Sequence, residues 1–570
     1  MSNNLFTTPQ KDVSIVLCGE AGQGIQTLEF FLTRIFKISG YHVYATKEYM
    51  SRIRGGSNST QIRVSSDYVR APVKRMDIFI PLDGKALKHL EKHITSNTVI
   101  IGDKANLKTE LKLYDIPLTK ISTEIGGKIY ENMIAVGVIS KLFKVNLQTL
   151  EDYLKNYFAK KGTEIVEKNI KAVKAGYDEA ERLFKNSEIN VIKNPDVKDH
   201  IVLNGAEAVA LGAIAGGCNF IAAYPMSPST NVFVFLAQHA STFNIIVEQA
   251  EDEISAINMA EGAWYAGARA MVSTSGGGFS LMTEGLSLAG MIESPLVIHL
   301  AQRPGPATGL PTRTEQADLN LALYAGHGEF PRAVFTPGSI EDAFYLTQKA
   351  FNLADKFQIP VFVLTDQYLI DSYYDIPELN LSELNIEKHV IKTSRDYKRY
   401  LLTASGVSPR GIPGYGDGVV VVDSDEHDEE GHITEDLDLR TKMVDKRLRK
   451  IKLIEKETLP PELHGAEQYK YLLIGWGSTY NSIIEALKNL NRKDAALLFF
   501  KQAYPVHSIT SKYLEKAEKI IFIENNATCQ FGRLIQQATG YKSENRILKY
   551  NGLPFTVEEL VEKIEEIIGA

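Results

Sequence analysis

Cysteine is scarce in this chain. Its 570 residues include three, Cys18, Cys218 and Cys529. They lie far apart in sequence, make no CxxC pair, and cannot alone hold a four-cysteine iron–sulfur cluster. Any metal-borne redox chemistry therefore belongs to another chain. Long apolar runs are missing too: no stretch of about 18 apolar residues occurs, and the N-terminal MSNNLFTTPQKDV has no basic head followed by an apolar core. A cytoplasmic protein without membrane contact is expected. Positive charge is not in excess, since the net charge is −7, and no basic stripe carries interleaved aromatics, which argues against nucleic acid. What is present is ordinary globular composition, 44% hydrophobic and 23% charged, at a length that calls for about three or four domains.

The first region, 1–190, opens with a strand over Val13–Cys18, a glycine loop Gly19-Glu20-Ala21-Gly22-Gln23-Gly24, and a helix to about Ser39 with Leu28, Phe31, Leu32 and Ile35 at helical spacing. Such a loop sets backbone N–H groups toward an anion or merely turns the chain. Its order, G-x-x-G-x-G, is not that of a dinucleotide fingerprint. Arg54-Gly55-Gly56-Ser57-Asn58 precedes a strand at Thr60–Val64. Strands at Ile78–Leu82 and Thr98–Gly102 alternating with helices predict a parallel α/β domain, and Glu151–Leu183 reads as one charged helical stretch. A second doubly wound unit is expected over 198–378, a connecting arm over 379–465, and a last α/β domain over 466–570 built from strands at Tyr471–Gly475, Ala496–Phe500 and Lys519–Glu524. The fold class is thus α/β, with three α/β domains.

The centre of the second region is Val247–Gly278, a strand ending in acids, an Ala- and Gly-rich helix, a second strand and the glycine loop Gly276-Gly277-Gly278. Glu251, Asp252 and Glu253 could simply serve the helix dipole. A carboxyl buried in an apolar helix could instead act in proton transfer. Upstream, Tyr224-Pro225-Met226-Ser227-Pro228 presents Ser227 on a loop stiffened by two prolines. Downstream, Gln302–Leu319 is a proline- and glycine-rich loop carrying Arg303 and Arg313, whose guanidinium groups suit a carboxylate or serve structural ion pairs.

These motifs together resemble the fused gamma–alpha subunit of the 2-oxoacid:ferredoxin oxidoreductases. The YPMSP stretch is similar to the family's YPITP, with Met for Ile and Ser for Thr, so the hydroxyl is kept. GEAGQG and RGGSN resemble its gamma domain, alpha-type motifs run from about Asn204 to Leu448, and the C-terminal region looks like that of transketolase-like subunits. The resemblance implies that Glu253 activates thiamine diphosphate by holding a proton on its aminopyrimidine ring. It also implies that Ser227, Arg313 and Arg303 bind the substrate carboxylate, and that Tyr224, Pro225, Pro228, Gly276, Gly277 and Gly278 lie at the cofactor. Gly22, Gly24 and Arg54 would contact coenzyme A. Gly416-Asp417-Gly418 imitates the opening of a magnesium–diphosphate motif, but the next asparagine is Asn481, too distant to complete it. No metal site is therefore expected in this chain. Mg2+ and a [4Fe-4S] cluster are assigned to a partner beta subunit, ferredoxin is the electron acceptor, and a dimer of alpha–beta heterodimers is the expected assembly. The implied reaction is oxidative, CoA-acylating decarboxylation of a 2-oxoacid. Fused gamma–alpha members lead with 2-oxoglutarate, followed by pyruvate or a broad range; the alternative is a non-catalytic assembly subunit. His427 and His432, in the acidic arm, read as members of a solvated loop, since their spacing fits no standard metal site. Asn525 and Asn526, after a strand end, are further candidates.

Overall fold

The computed structural model describes residues 8–50, 56–185 and 187–569. Its α/β character follows the alternation in the sequence: three sheets of eight, seven and five strands, interleaved with helices. The chain divides into two compact units. One comprises Met1–Leu203, Ser372–Leu379 and Thr556–Glu559; the other comprises Asn204–Asp371, Asn380–Phe555 and Leu560–Ala570.

In the first unit, Asp12–Glu20 is the central strand, with Val13, Ile15 and Leu17 buried against the helix Ile25–Ile38 through Leu28, Phe31, Leu32 and Ile35. The expected all-parallel sheet is mixed instead. Ile78–Pro81, Val99–Gly102 and Tyr114–Asp115 run parallel outward from Asp12–Glu20. On its other side Ser57–Ser65 is antiparallel, and His42–Glu48 is antiparallel to that. The cause is connection length: residues 49–56 are too few for the crossover that parallel neighbours require. The helical stretch expected over Glu151–Leu183 is two helices, Leu147–Phe158 and Thr163–Phe184. They part near Gly162, whose φ of 98° suits glycine.

The sheet is completed from far along the chain. Tyr373–Ile376, expected to close the second region, pairs antiparallel with His42–Glu48 and neighbours Ile201–Asn204. Asp375 fixes this join. Its Oδ2 accepts from His42 Nδ1 (2.8 Å) and His200 Nδ1 (2.7 Å), and its Oδ1 from the Val43 N–H (2.7 Å). The outer ring nitrogens are also partnered, His200 by the Tyr68 hydroxyl and His42 by Asn194. Among the described residues this trio is the one group of metal-ligating side chains that converges, and hydrogen bonds satisfy it without an ion.

In the second unit the seven-stranded sheet is parallel except at one edge. There Gln502–Tyr504, from the C-terminal region, pairs antiparallel with Ala333–Phe335. The five-stranded sheet is parallel apart from Glu462–Gly465. The arm carries one long helix, Leu437–Lys456. Val444, Leu448 and Ile451 share one apolar face at helical spacing, yet they are only half-buried, and the helix buries Met443, Lys446, Arg447, Lys450 and Ile454. Lys446 and Lys450 both pair with the buried Glu293, Lys450 at 2.5 Å. His427, expected in a solvated loop, is instead fully buried, its ring centroid 3.8 Å from that of Tyr400 with the planes tilted by 33°, and it is bonded through Nδ1 to the Asp425 carbonyl, whereas His432 is exposed. Gly416-Asp417-Gly418 is a packed turn against Thr393 and Ser394.

Burial alone would raise the pKa of Asp375, but the hydrogen bonds from His42, Val43 and His200 outweigh it and hold the carboxyl below its ordinary value. Its contribution is therefore complete above the unfolded-state pKa and is lost as pH falls through the lowered folded one. Asp375→Ala should cost about 3 kcal/mol, read as a lower denaturation midpoint. The deficit should shrink in acid, where the wild type loses the same bonds.

Candidate active site

Four neighbouring parallel strands, in the order Leu296–Gln302, Ala270–Thr274, Phe220–Ala223 and Ile246–Gln249, bring four motifs to one edge. The Arg303 loop, the Gly276-Gly277-Gly278 turn, the YPMSP loop and the acidic run each leave the C-terminal end of a strand, where open α/β sheets form ligand crevices.

The acidic run divides its labour. Glu251 is exposed. Asp252 is the N-cap of the helix Glu253–Tyr265 and accepts from the Ser255 N–H at 2.7 Å, which is worth about 1 kcal/mol. The helix buries Ala256, Ile257, Ala260 and Trp264 along one face, and Trp264 Nε1 donates to the Ala270 carbonyl at 2.9 Å. This packing carries Glu253 inside with it. Its side chain is 3% exposed, and its buried Oε1 has no hydrogen-bond partner. A carboxyl oxygen left unpaired in this way costs free energy that a bound donor would return.

The expected glycine loop is instead the first turn of the helix Gly276–Leu281, and its missing side chains leave room for that oxygen. A Cβ on Gly278 would lie 2.5 Å from Glu253 Oε1 and 2.3 Å from Thr274 Oγ1. One on Gly276 would lie 2.5 Å from Asp318 Oδ2. One on Gly277 would meet only the Ala307 carbonyl at 3.7 Å and Met226 Sδ at 4.0 Å, which is ordinary contact. All four motifs thus converge at this turn. Arg303 ties two of them, since its Nη1 donates to the Ser227 carbonyl at 2.7 Å while its Nε is buried without a partner. Burial disfavours the guanidinium charge, and Asp318 partly restores it. Ser227 and Tyr224 are exposed, Pro225 is half-buried and Pro228 is buried.

Arg313 sits elsewhere on the same loop, with its Cβ 3.1 Å from where a Cβ on Gly552 would stand. The loop is clasped there from the five-stranded sheet. The Gln316 N–H donates to the Asn525 carbonyl (2.7 Å), the Asn525 N–H to Gln316 Oε1 (3.0 Å), and Asn526 Nδ2 to the Gln316 carbonyl (3.1 Å). Asn525 and Asn526 therefore hold the loop. Gln316 and Asp318 are the residues that sequence reading passed over, because neither belongs to a periodic or motif pattern.

In the first unit the GEAGQG loop closes on itself: Gln23 Oε1 and Asp83 Oδ2 both accept from the Glu20 N–H. Gly22 and Gly24 have φ of 91° and 77°. Beside them is a cavity of about 280 Å³ bordered by Glu20, Glu29, Glu48, Lys47 and Tyr49. Arg54 and Gly55 lie outside the described residues. The three cysteines are buried and unpaired, and burial pushes the Cys18 and Cys218 thiols up to about 12.

A buried glutamate with an unpartnered oxygen, packed against bare glycines at the strand ends of an α/β sheet, makes this crevice the candidate site. Family comparison agrees. Residues 211–446 match the model described as pyruvate flavodoxin/ferredoxin oxidoreductase, thiamine diphosphate-binding, and residues 14–179 match pyruvate ferredoxin/flavodoxin oxidoreductase. The chain is 33% identical to the 2-oxoacid:ferredoxin oxidoreductase subunit alpha of Sulfolobus sp, over 98% of this chain and 97% of that protein. It is 29% identical to the 2-oxoglutarate oxidoreductase subunit KorA of Mycobacterium tuberculosis, over 96% and 90%. A solved 2-oxoglutarate:ferredoxin oxidoreductase from Magnetococcus marinus, with 2-oxoglutarate, coenzyme A and succinyl-CoA bound, superposes with a TM-score of 0.91 at 32% identity, covering 98% of this chain and all of that one. The chain belongs to the 2-oxoacid:ferredoxin oxidoreductase family, as an alpha-type subunit of a multi-subunit enzyme. No described helix is long and apolar enough to cross a membrane.

The two outer glycines of the turn should respond differently from the middle one. Gly278→Ala is expected to cost about 1–3 kcal/mol by overpacking, whereas Gly277→Ala should stay within about 0.5 kcal/mol. Thermal unfolding of the two variants side by side checks this.

Proposed function

We propose that this chain is the pyrimidine-side half of a thiamine-diphosphate-dependent enzyme that oxidatively decarboxylates a 2-oxoacid, with 2-oxoglutarate the leading substrate and succinyl-CoA the product. The observation that carries the reading is Glu253, whose buried, unpartnered Oε1 faces the side-chain-free surface of Gly278. The residues fit the cofactor. Glu253 would hold a proton at Oε1 toward the aminopyrimidine, Gly276 to Gly278 would let the backbone approach it, and Tyr224, Pro225 and Pro228 would form the adjoining wall. When bound, thiamine diphosphate supplies an acidic carbon that adds to a ketone and stabilises the charge left when CO2 departs.

Around it, Arg303 and Ser227 would orient the substrate carboxylate, with Arg313 completing the loop's positive charge. Acyl transfer to coenzyme A leaves two electrons, which ferredoxin accepts singly. This chain's cysteines are buried and separate, so the [4Fe-4S] cluster, together with Mg2+ and the diphosphate anchor, is assigned to a beta subunit, in a dimer of alpha–beta heterodimers. Residues 1–190 would act as the gamma-like domain, 198–378 as the pyrimidine domain, 379–465 as the arm and 466–570 as the transketolase C-terminal-like domain. Gly22, Gly24 and Arg54 would meet coenzyme A. The carboxylates bordering the cavity there suit its uncharged portion better than its phosphates. The reaction compartment is taken as the cytoplasm.

The purified complex should reduce methyl viologen with 2-oxoglutarate in the presence of coenzyme A, and less well with pyruvate or branched 2-oxoacids. No reduction with any of them by a thiamine-loaded complex would overturn the assignment. Glu253→Gln should lower kcat by about 10²-fold or more; full activity would refute its role and favour an assembly subunit.

A further inference from the structure

Asp318 belongs to the crevice but to none of the roles above. Its main chain is fixed from both sides: the N–H donates to Gln302 Oε1 at 3.0 Å, and the carbonyl accepts from the Ala322 N–H at 2.9 Å. The carboxyl is thereby pressed against the Cα of Gly276, where a Cβ would be 2.5 Å from Oδ2 and 2.7 Å from Cγ. Oδ2 is enclosed and has no hydrogen-bond partner. Arg303, on the same loop, has a buried Nε that is likewise unpartnered. Among the described residues no direct ion pair joins the two, yet each charge acts on the other. An acid and a guanidinium on one loop, each with an unused buried atom, form a counter-ion arrangement.

We propose that Asp318 is a positioning residue for substrate capture: its carboxylate is the resting counter-ion of Arg303, and it takes up one proton from solvent when the carboxylate of a 2-oxoacid occupies that guanidinium. The inference rests on Arg303 being a substrate ligand. Its electrostatic logic is simple. Two carboxylates beside one guanidinium repel each other, so the incoming anion favours the protonated form of the acid already present. Burial pushes Asp318 up to about 6 against the opposing effect of Arg303, which puts the exchange within working pH. Three other acids lie on the elements that form the crevice. Glu315 is raised to about 7 by burial and by Asp318, Glu253 lies across the turn at Gly278, and Glu251 is exposed at the end of the acidic run. The substrate carboxylate is itself ionised throughout.

The test is the pH dependence of KM and kcat for the assembled, thiamine-loaded complex, using the 2-oxoacid with the highest kcat/KM. If binding takes up a proton, wild-type KM rises with pH above about 6, by at most roughly tenfold per pH unit for one proton. Asp318→Asn should abolish that rise and give at pH 8 a KM near the wild-type value at pH 6. Glu315→Gln should keep the rise. Arg303→Ala should raise KM about 10-fold or more. A normal KM in Arg303→Ala defeats the substrate-ligand reading and the proposal with it. If Arg303→Ala raises KM but wild-type KM is flat with pH, or if the rise survives in Asp318→Asn or vanishes in Glu315→Gln, the proposal alone is overturned. Where Asp318→Asn fails to fold, the wild-type rise together with its persistence in Glu315→Gln carries the result, and a flat wild-type profile overturns it.

Discussion

The structure of the site depends on the absence of side chains at one turn. Gly276 and Gly278 lie within contact of Asp318 and Glu253, and a single methyl at either would overlap a carboxyl oxygen. Neither glycine has a positive φ, so the requirement is close approach and not backbone handedness. Because the turn is bare, two acids from different elements can be brought to opposite ends of three residues. Parallel strand order does the rest: motifs separated by many residues in sequence leave adjacent strand ends on one edge.

Burying carboxyl oxygens without partners is unfavourable, and the surrounding structure must compensate. The helix Glu253–Tyr265 does so through an apolar face that includes the fully buried Trp264, and through the Asp252 cap. The loop Gln302–Leu319 does so through Gln316, which spends both ends of its amide and its backbone on Asn525, Asn526 and the Trp476 carbonyl. The five-stranded sheet therefore contributes to the crevice indirectly, by holding the loop that carries Arg303 and Asp318.

What the sequence disclosed was local. Glycine turns, the alternation of strands and helices, the acidic run and the proline-stiffened YPMSP loop were legible because each leaves its mark within a few residues. Strand partnership was not. Nothing in Tyr373–Ile376 indicates that its neighbours are His42–Glu48 and Ile201–Asn204, because the pleat records which face is apolar but not which sheet is joined. Asp318 was passed over for a related reason: a single aspartate in a polar loop acquires meaning only when Gly276 is found against it.

The arm helix carries this lesson furthest. Apolar periodicity selected Val444, Leu448 and Ile451, but Lys446 and Lys450 point inward because Glu293 lies opposite. Burial would raise the pKa of that carboxyl, yet Lys450, Lys446 and Arg399 together hold it well below the carboxylate range. Three cations around one anion leave a surplus of positive charge, and burial pushes both Lys450 and Lys446 below the ordinary lysine value. An apolar seam of equal volume would match or exceed such a cluster in stability. It would also tolerate a helix slid by one turn. Two lysines one turn apart that share a single buried carboxylate do not, since any shift strands at least one charge. The cluster therefore fixes the register of the helix, and with it the buried His427–Tyr400 ring contact and the Glu426–Arg447 pairing that fold the arm's acidic loop back onto the helix.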